Sequence, residues 1–426
     1  MSATALIGLQ WGDEGKGKMV DILAAEAELV VRCQGGSNAG HTVEVAGERT
    51  VLHLVPSGIL SPTARCLIGH GVVLDAEQLL KEIDALEARG VATAGRLLVS
   101  DRAHLVFSYH RELDRAQESR RDEKIGTTGK GIGPCYEDKV ARCGVRVGDL
   151  DRPEALERRI AQALETKRSR FEALGHEPPR LEEVLASARD LARRLAPMTV
   201  DGVTVVHEAM ERGERIFLEG AQGSLLDIDL GTYPFVTSSN ANVGGLLSGS
   251  GLPAQALTRV IGVCKAYATR VGSGPFPTEL EDETGARLRE RGNEFGSTTG
   301  RPRRCGWFDG PAMRFAVRVN GVTDIALTKV DVLSGFERIR FARAYETAAG
   351  ERHEALPSMV DDFEGLRPVY EDFPGWEGEL GGVRRYEDLP AELRRYVEAV
   401  EDYCGARVRW IGVGKGREHI VDRGEG

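Results

Sequence analysis

Long apolar runs are missing from this chain: nowhere in its 426 residues does a stretch approach the ~18 consecutive apolar residues of a membrane-spanning helix. A membrane partner is therefore not expected. An excess of basic charge is missing too. Lys and Arg number 56 against 66 Asp and Glu, a formal net charge of −10. With no basic tail to offset that balance, a nucleic-acid surface is disfavoured, and any anionic ligand must be met by a local cluster of Lys and Arg. Cysteines are few, 7 in all, and they show no CxxC or Cys/His metal spacing. Free thiols are expected rather than a disulfide framework. No basic leader or cleavage signal precedes the first apolar segment, so a cytoplasmic protein is expected.

What is present is an ordinary globular composition, 41% hydrophobic and 29% charged, with 52 glycines. Short apolar runs alternate with amphipathic stretches. Ala3 to Leu9, Leu29 to Val31, Leu67-Ile68, Val72 to Leu74, Arg96 to Ser100, Arg215 to Leu218, Val260 to Tyr267, Thr323 to Leu327 and Arg407 to Val413 read as strands. Residues 76–89, 104–122, 389–403 and most of 152–212 read as helices, with a hairpin around Ala46-Gly47-Glu48. The stretch Ile125 to Pro134, IGTTGKGIGP, is too rich in glycine for regular structure. The pattern predicts an α/β fold: a large, mostly parallel central sheet flanked by helices, with ligands bound beyond the strand ends. Residues 1–426 are expected to form a single domain, with 101–212 a mainly helical insertion.

The stretch that organises the rest is Gly12-Asp13-Glu14-Gly15-Lys16-Gly17-Lys18, between the first strand and the helix that starts near Met19. Glycines let backbone N–H groups approach an anion, and the helix N-terminus adds partial positive charge. The spacing nearly fits GxxxxGK[ST], but Met19 stands where a Ser or Thr would hold Mg²⁺. Asp13 is a carboxylate inside the turn, useful for holding a metal or taking a proton. The competing reading is a solvated turn whose lysines balance Asp13 and Glu14.

Thr328-Lys329-Val330-Asp331 follows a predicted strand and fits [NT]KxD, in which the aspartate accepts two hydrogen bonds from guanine. A chance tetrapeptide is the alternative. His41 sits in QGGSNAGHT, a short distance from the first turn if the first two strands are neighbours, and is a candidate general acid to pair with Asp13. Four loops rich in Gly, Thr and Arg complete the set: 126–133, 219–224, 237–240 and 297–304, the last reading STTGRPRR. Arginines there can fork onto carboxylates or phosphates. A regulatory GTPase would need the missing hydroxyl and a metal-linked DxxG. The DxxG matches, at Asp282, Asp362 and Asp372, are all expected in hydrophilic loops, none after a clear strand.

QWGDEGKGK, QGGSNAGHT, IGTTGKGIGP, EGAQGSLLDID, YPFVTSSN, GPFPTEL, NEFGSTTGRPRR and TKVDVL, in this order, resemble the adenylosuccinate synthetase family across nearly the whole chain. The resemblance implies a GTP-dependent ligase of purine synthesis, with Mg²⁺, that joins IMP and L-aspartate through a 6-phosphoryl intermediate. It implies Asp13 as base, with His41 and Gln222 also catalytic. Mg²⁺ is implied at Asp13 and the Gly40 carbonyl. GTP contacts fall on Gly12 to Lys18, Gly40, His41, Thr42, Arg303, Lys329, Val330, Asp331 and, near the C-terminus, Gly412, Val413 and Gly414. Asp13, Lys16, Asn38, Thr128, Gln222, Thr237 and Arg301 match IMP contacts, and the insertion at 101–212 carries the IMP loop. Ser297, Thr298, Thr299, Gly300, Arg301 and Arg303 match the aspartate-binding segment. Pro302 stands where some members have another arginine. Arg142 matches a residue that reaches the partner subunit's IMP site, implying a homodimer.

Overall fold

The first strand, β1 (Ala3–Gly8), alternates its side chains between two cores: Ala3, Ala5 and Ile7 join one apolar cluster and Leu6 the other. A strand buried on both faces belongs in the middle of a sheet. The computed structural model describes residues 3–45, 48–122, 124–296 and 300–424, with the backbone alone for those between 42 and 50. After β1 come α1 (Lys16–Leu23), β2 (Leu29–Gly35), the hairpin β3 (His41–Val45) and β4 (Glu48–Leu52), β5 (Arg65–Leu74) and α2 (Ala76–Glu87). Next are β6 (Leu97–Ser100), β7 (His104–Leu105), α3 (Ser108–Arg120), α4 (Ile132–Ala141), α5 (Pro153–Ala173), α6 (Leu181–Leu195), β8 (Thr199–Val200) and α7 (Gly202–Glu211). The chain continues through β9 (Ile216–Glu219), α8 (Val243–Ser250), β10 (Leu257–Lys265), β11 (Ala268–Arg270), α9 (Glu283–Gly292), β12 (Arg304–Gly306), β13 (Phe308–Asp309), α10 (Gly310–Asn320) and β14 (Asp324–Thr328). It ends with β15 (Arg338–Glu346), β16 (Arg352–His353), β17 (Arg367–Pro374), α11 (Ala391–Cys404), β18 (Arg407–Gly412) and β19 (Ile420–Asp422).

Among the described residues the central sheet has 11 strands, in the order β19-β18-β14-β10-β1-β9-β2-β5-β6-β8, with β7 beside β5. Every pairing in it is parallel except β18 with β19. The expected α/β class is therefore the observed one. No helix of the described chain is long and apolar enough to cross a membrane, and all 7 cysteines are free thiols.

Three local expectations are corrected. The first two strands are not neighbours, because β9 lies between β1 and β2 and pairs with both. Residues 104–122 do not form one helix: His104-Leu105 extends the sheet edge, and α3 begins at Ser108. Ile125 to Pro134 is not irregular throughout, since Gly131, at φ 76°, caps a helix that starts at Ile132.

Candidate active site

Parallel strands direct their carboxyl ends the same way, and several of the segments singled out from the sequence follow those ends. Gly12 to Lys18 follows β1, Gly36 to Gly40 follows β2, Ala221 to Gln222 follows β9, Lys329 to Asp331 follows β14 and Val413-Gly414 follows β18. Among the described residues the non-glycine positions with positive φ are Asp13, Arg142, Gln222, Asn293 and Lys329. All but Asn293 are candidate site residues. Backbone held in this sparsely populated region is a mark of functional turns.

The turn after β1 is built around Glu14. Its buried carboxylate accepts from the N–H groups of Gln10 (3.0 Å) and Gly12 (2.9 Å) and pairs with Lys16 Nζ at 2.5 Å. A Cβ on Gly8 would lie 2.5 Å from that carboxylate, so the strand end has room only for glycine. Lys18 Nζ donates to the carbonyls of Gly414 (3.0 Å) and His419 (2.8 Å), and burial pushes its pKa down to about 8. Thr328 Oγ1 donates to the Glu14 carbonyl at 2.7 Å, tying the β14 turn to the β1 turn. The reading in which a lysine balances an acid of the turn thus holds for Lys16 and Glu14, while Asp13 stays exposed and turned elsewhere.

Asp13 Oδ2 accepts from Arg303 Nε at 2.8 Å, joining the first turn to the arginine segment. His41 is buried, and its Nδ1 lies 2.6 Å from Oε1 of Glu219, the last residue of β9. Glu219 also accepts from the Ser57 N–H (2.8 Å) and hydroxyl (3.0 Å). Burial lowers the His41 pKa against the pull of Glu219, and burial of Glu219 is outweighed by His41 and Arg32, which keep that carboxyl low. Charged Glu219 accepts, so neutral His41 carries its proton at Nδ1 and presents a bare Nε2. That Nε2 is buried without a partner.

Gln222 Nε2 donates to Asn38 Oδ1 at 3.1 Å, and Asn38 Nδ2 to Thr237 Oγ1 at 3.4 Å, so three candidate IMP contacts form one chain. Gln222 Oε1 has no partner. In the guanine-type motif, Asp331 Oδ1 is likewise buried and unpartnered, and burial raises its pKa despite Lys329 and Lys18. Val330 is fully buried, and its carbonyl accepts from Trp376 Nε1 at 3.2 Å. Gly412 packs against Thr328, with room for a Cβ only at 3.3 Å from the Thr328 Cα.

Other candidates lie on further loops. Thr128 is exposed in a loop whose Gly126 N–H donates to Glu118 and whose Gly131 N–H donates to Asp114. Arg142 is exposed at the end of α4, at φ 63°. Gly300 and Arg301 close the arginine loop through Gly296, whose N–H donates to the Arg301 carbonyl at 2.8 Å. Ser297, Thr298 and Thr299 lie outside the described residues, as does the Thr42 side chain. Sequence reasoning missed the carboxylates that hold the site: Glu219 behind His41 and Glu294 behind Arg303. Both lay in quoted stretches, Glu219 at the head of EGAQGSLLDID and Glu294 in NEFGSTTGRPRR, but nothing local named their partners.

Among the described residues no cluster of three or more His, Cys, Asp or Glu could hold a metal by itself. Zinc-type or EF-hand sites are thus not seen there. Asp13, an exposed carboxylate in the turn after β1, and the Gly40 carbonyl, in the turn after β2, are hard oxygen donors. Such a sparse set fits Mg²⁺, which keeps its waters and shares itself with substrate phosphates.

Two of the three DxxG matches have structural roles, and the expectation that all three lie in loops is corrected, since Asp372 lies within β17. Asp282 caps α9 by accepting from Gly285 N–H at 3.1 Å, and Asp372 pairs with Arg338 and Arg340. Neither follows a strand of the central sheet.

Comparison with known proteins gives a consistent result. A family model described as adenylosuccinate synthetase matches residues 5–421. The adenylosuccinate synthetase of Trichlorobacter lovleyi is 49% identical over 423 residues, covering 99% of this chain and 98% of that protein. The Thermobifida fusca protein of the same name is 49% identical over 424 residues, covering 99% of both. A fully ligated adenylosuccinate synthetase from Plasmodium falciparum superposes with a TM-score of 0.94 at 36% identity, covering 100% of both chains.

Proposed function

This chain belongs to the adenylosuccinate synthetase family, ligases that join IMP to L-aspartate at the expense of GTP, and from that premise we propose how its own residues divide the work. The observation that carries the proposal is a set of buried, unpartnered polar atoms on the loops beyond the strand ends: His41 Nε2, Gln222 Oε1 and Asp331 Oδ1. Each leaves about 1–3 kcal/mol of desolvation uncompensated unless a ligand meets it. Their chemistry matches the phosphoryl group, the IMP base and guanine.

Asp331 accepts from the guanine ring N–H and amino group, with Lys329 along the base and Gly412 to Gly414 beside it. The phosphates lie on the N–H groups of Gly12 to Lys18 and of Gly40 to Thr42, so Glu14 contributes through its backbone. Asn38, Thr128, Gln222, Thr237, Lys16 and Arg301 hold IMP. The segment from Ser297 to Arg303 takes L-aspartate. Asp13 removes the N1 proton of IMP, the 6-oxygen attacks the γ-phosphorus of GTP, and GDP leaves. The aspartate amine then displaces phosphate from C6. His41, protonated as the anion arrives, donates from Nε2 to the phosphoryl oxygens. Asp13 and the Gly40 carbonyl would hold Mg²⁺, which would neutralise charge on the phosphates.

The sheet draws strands from residues 3–8 through 420–422, which supports reading 1–426 as one domain. We read 101–212 as a mainly helical insertion that carries the IMP loop, although its β7 and β8 join the sheet at its edge. We place the enzyme in the cytoplasm, as a homodimer in which Arg142 of each subunit enters the other's IMP site. Exposed Val140 (78%) beside Arg142 supports a contact surface there.

The test is Asp13→Ala. Loss of the general base is expected to lower turnover by roughly 10²–10⁴-fold while GTP still binds. Full activity in this variant would remove Asp13 from the mechanism.

A further inference from the structure

Glu294 takes no part in the chemistry proposed above, yet it is fully buried where α9 runs into the arginine segment. Its Oε2 accepts from Lys265 Nζ at 2.8 Å and from Arg303 Nη1 at 2.6 Å. Its Oε1 accepts from the Tyr267 hydroxyl and lies 3.6 Å from Lys329 Nζ. Burial opposes the charge, but Lys265, Lys329 and Arg303 outweigh it and hold the carboxyl down at about 2.

The cations come from separate places: Lys265 ends β10, Lys329 follows β14 and Arg303 precedes β12. Backbone bonds repeat the pattern. Arg303 N–H donates to the Glu294 carbonyl at 2.9 Å, and Lys329 Nζ to the Gly292 carbonyl at 2.6 Å. On their far sides the same cations face the site: Arg303 reaches Asp13 at 2.8 Å, and Lys329 flanks Asp331 with its unpartnered oxygen. A carboxylate needed only to neutralise one buried lysine would have no reason to engage both.

We propose that Glu294 is a positioning residue, setting Lys329 and Arg303 in register so that the guanine side and the aspartate side of the pocket are aligned through one carboxylate. This rests on the assignment of Lys329 to GTP and of Arg303 to GTP and L-aspartate made above. Removing the carboxylate's charge frees both cations from a shared anchor, and their two ligands weaken together. IMP, held by the Asn38–Gln222–Thr237 chain, is left largely alone.

The experiment is Glu294→Gln in the full chain, with steady-state kinetics in all three substrates. The amide keeps the shape and an acceptor but loses the charge. KM for GTP and for L-aspartate are each expected to rise roughly ten-fold, as for other residues that orient a ligand-bearing side chain. KM for IMP is expected to stay within about two-fold, and Glu294→Asp to recover part of the loss. Where the single variant does not fold, Lys265→Met/Glu294→Gln removes one cation along with the carboxylate and is expected to show the same two weakened constants. Equal change in all three constants, no change in GTP and L-aspartate, or failure of both variants to fold would overturn the inference. Wild-type protein assayed alongside separates the two levels. Wild-type turnover that does not need both IMP and L-aspartate overturns the reading beneath it, whereas normal wild-type turnover with an unaffected variant overturns only the role of Glu294.

Discussion

His41 Nδ1 lies 2.6 Å from Oε1 of Glu219, and Glu219 ends the strand that separates the two phosphate-side turns. The pairing fixes the tautomer and aims the bare Nε2 away from its partner. Glu219→Gln would offer an amide instead of a charged acceptor. It should lower kcat by roughly 10–100-fold with little change in KM for IMP, measured by phosphate release. Unchanged kcat would mean that His41 needs no orientation by Glu219.

The same pair sets a pH dependence. Burial lowers the His41 pKa below its ordinary 6.5, and donation from Nε2 needs the protonated ring. As pH rises, kcat/KM for GTP, reporting the free enzyme, should therefore fall through a limb below pH 6.5. Bound phosphates favour the imidazolium, so the corresponding limb of kcat should lie at higher pH. In Glu219→Gln both limbs should move down, because the carboxylate that favours the charged ring is gone. A kcat limb below that of kcat/KM would contradict the account.

Asp331 Oδ1 is the unpartnered acceptor on the guanine side. Asp331→Asn presents a donor where guanine also has donors, and should shift preference from GTP toward xanthosine triphosphate by at least about ten-fold. Competition kinetics with the two nucleotides reads this directly. An unmoved ratio would remove Asp331 from base recognition.

Glu294 should also govern acid stability. Its folded pKa, about 2, lies below the ordinary 4.5, so the folded state binds fewer protons through that window. Its contribution is fully present above pH 4.5 and is lost as pH falls toward 2, on the order of 3 kcal/mol in all. Urea unfolding from pH 6 to pH 3 should show wild type losing its advantage over Glu294→Gln. A constant gap would assign the effect to shape rather than charge.

Much of this site was legible because its backbone turns are contiguous strings. Gly12 to Lys18, Gly36 to Gly40 and Thr328 to Asp331 each announce a strand end and a ligand chemistry in a few residues, and the alternation of apolar runs gave the parallel sheet. Strand order was not legible. Nothing local tells β9 to enter between β1 and β2, so Glu219, 178 residues from His41, could not be read as its partner. Glu294 and Lys265 meet across 29 residues for the same reason. Within IGTTGKGIGP the glycine count hid a helix start, because Gly131 serves as its cap.

The most direct test of the central claim is GDP and phosphate release from GTP with Mg²⁺, adding IMP and L-aspartate separately and together. The account predicts turnover only with both present, with adenylosuccinate forming in step with GDP. Phosphate release from GTP alone, indifferent to either addition, would contradict it.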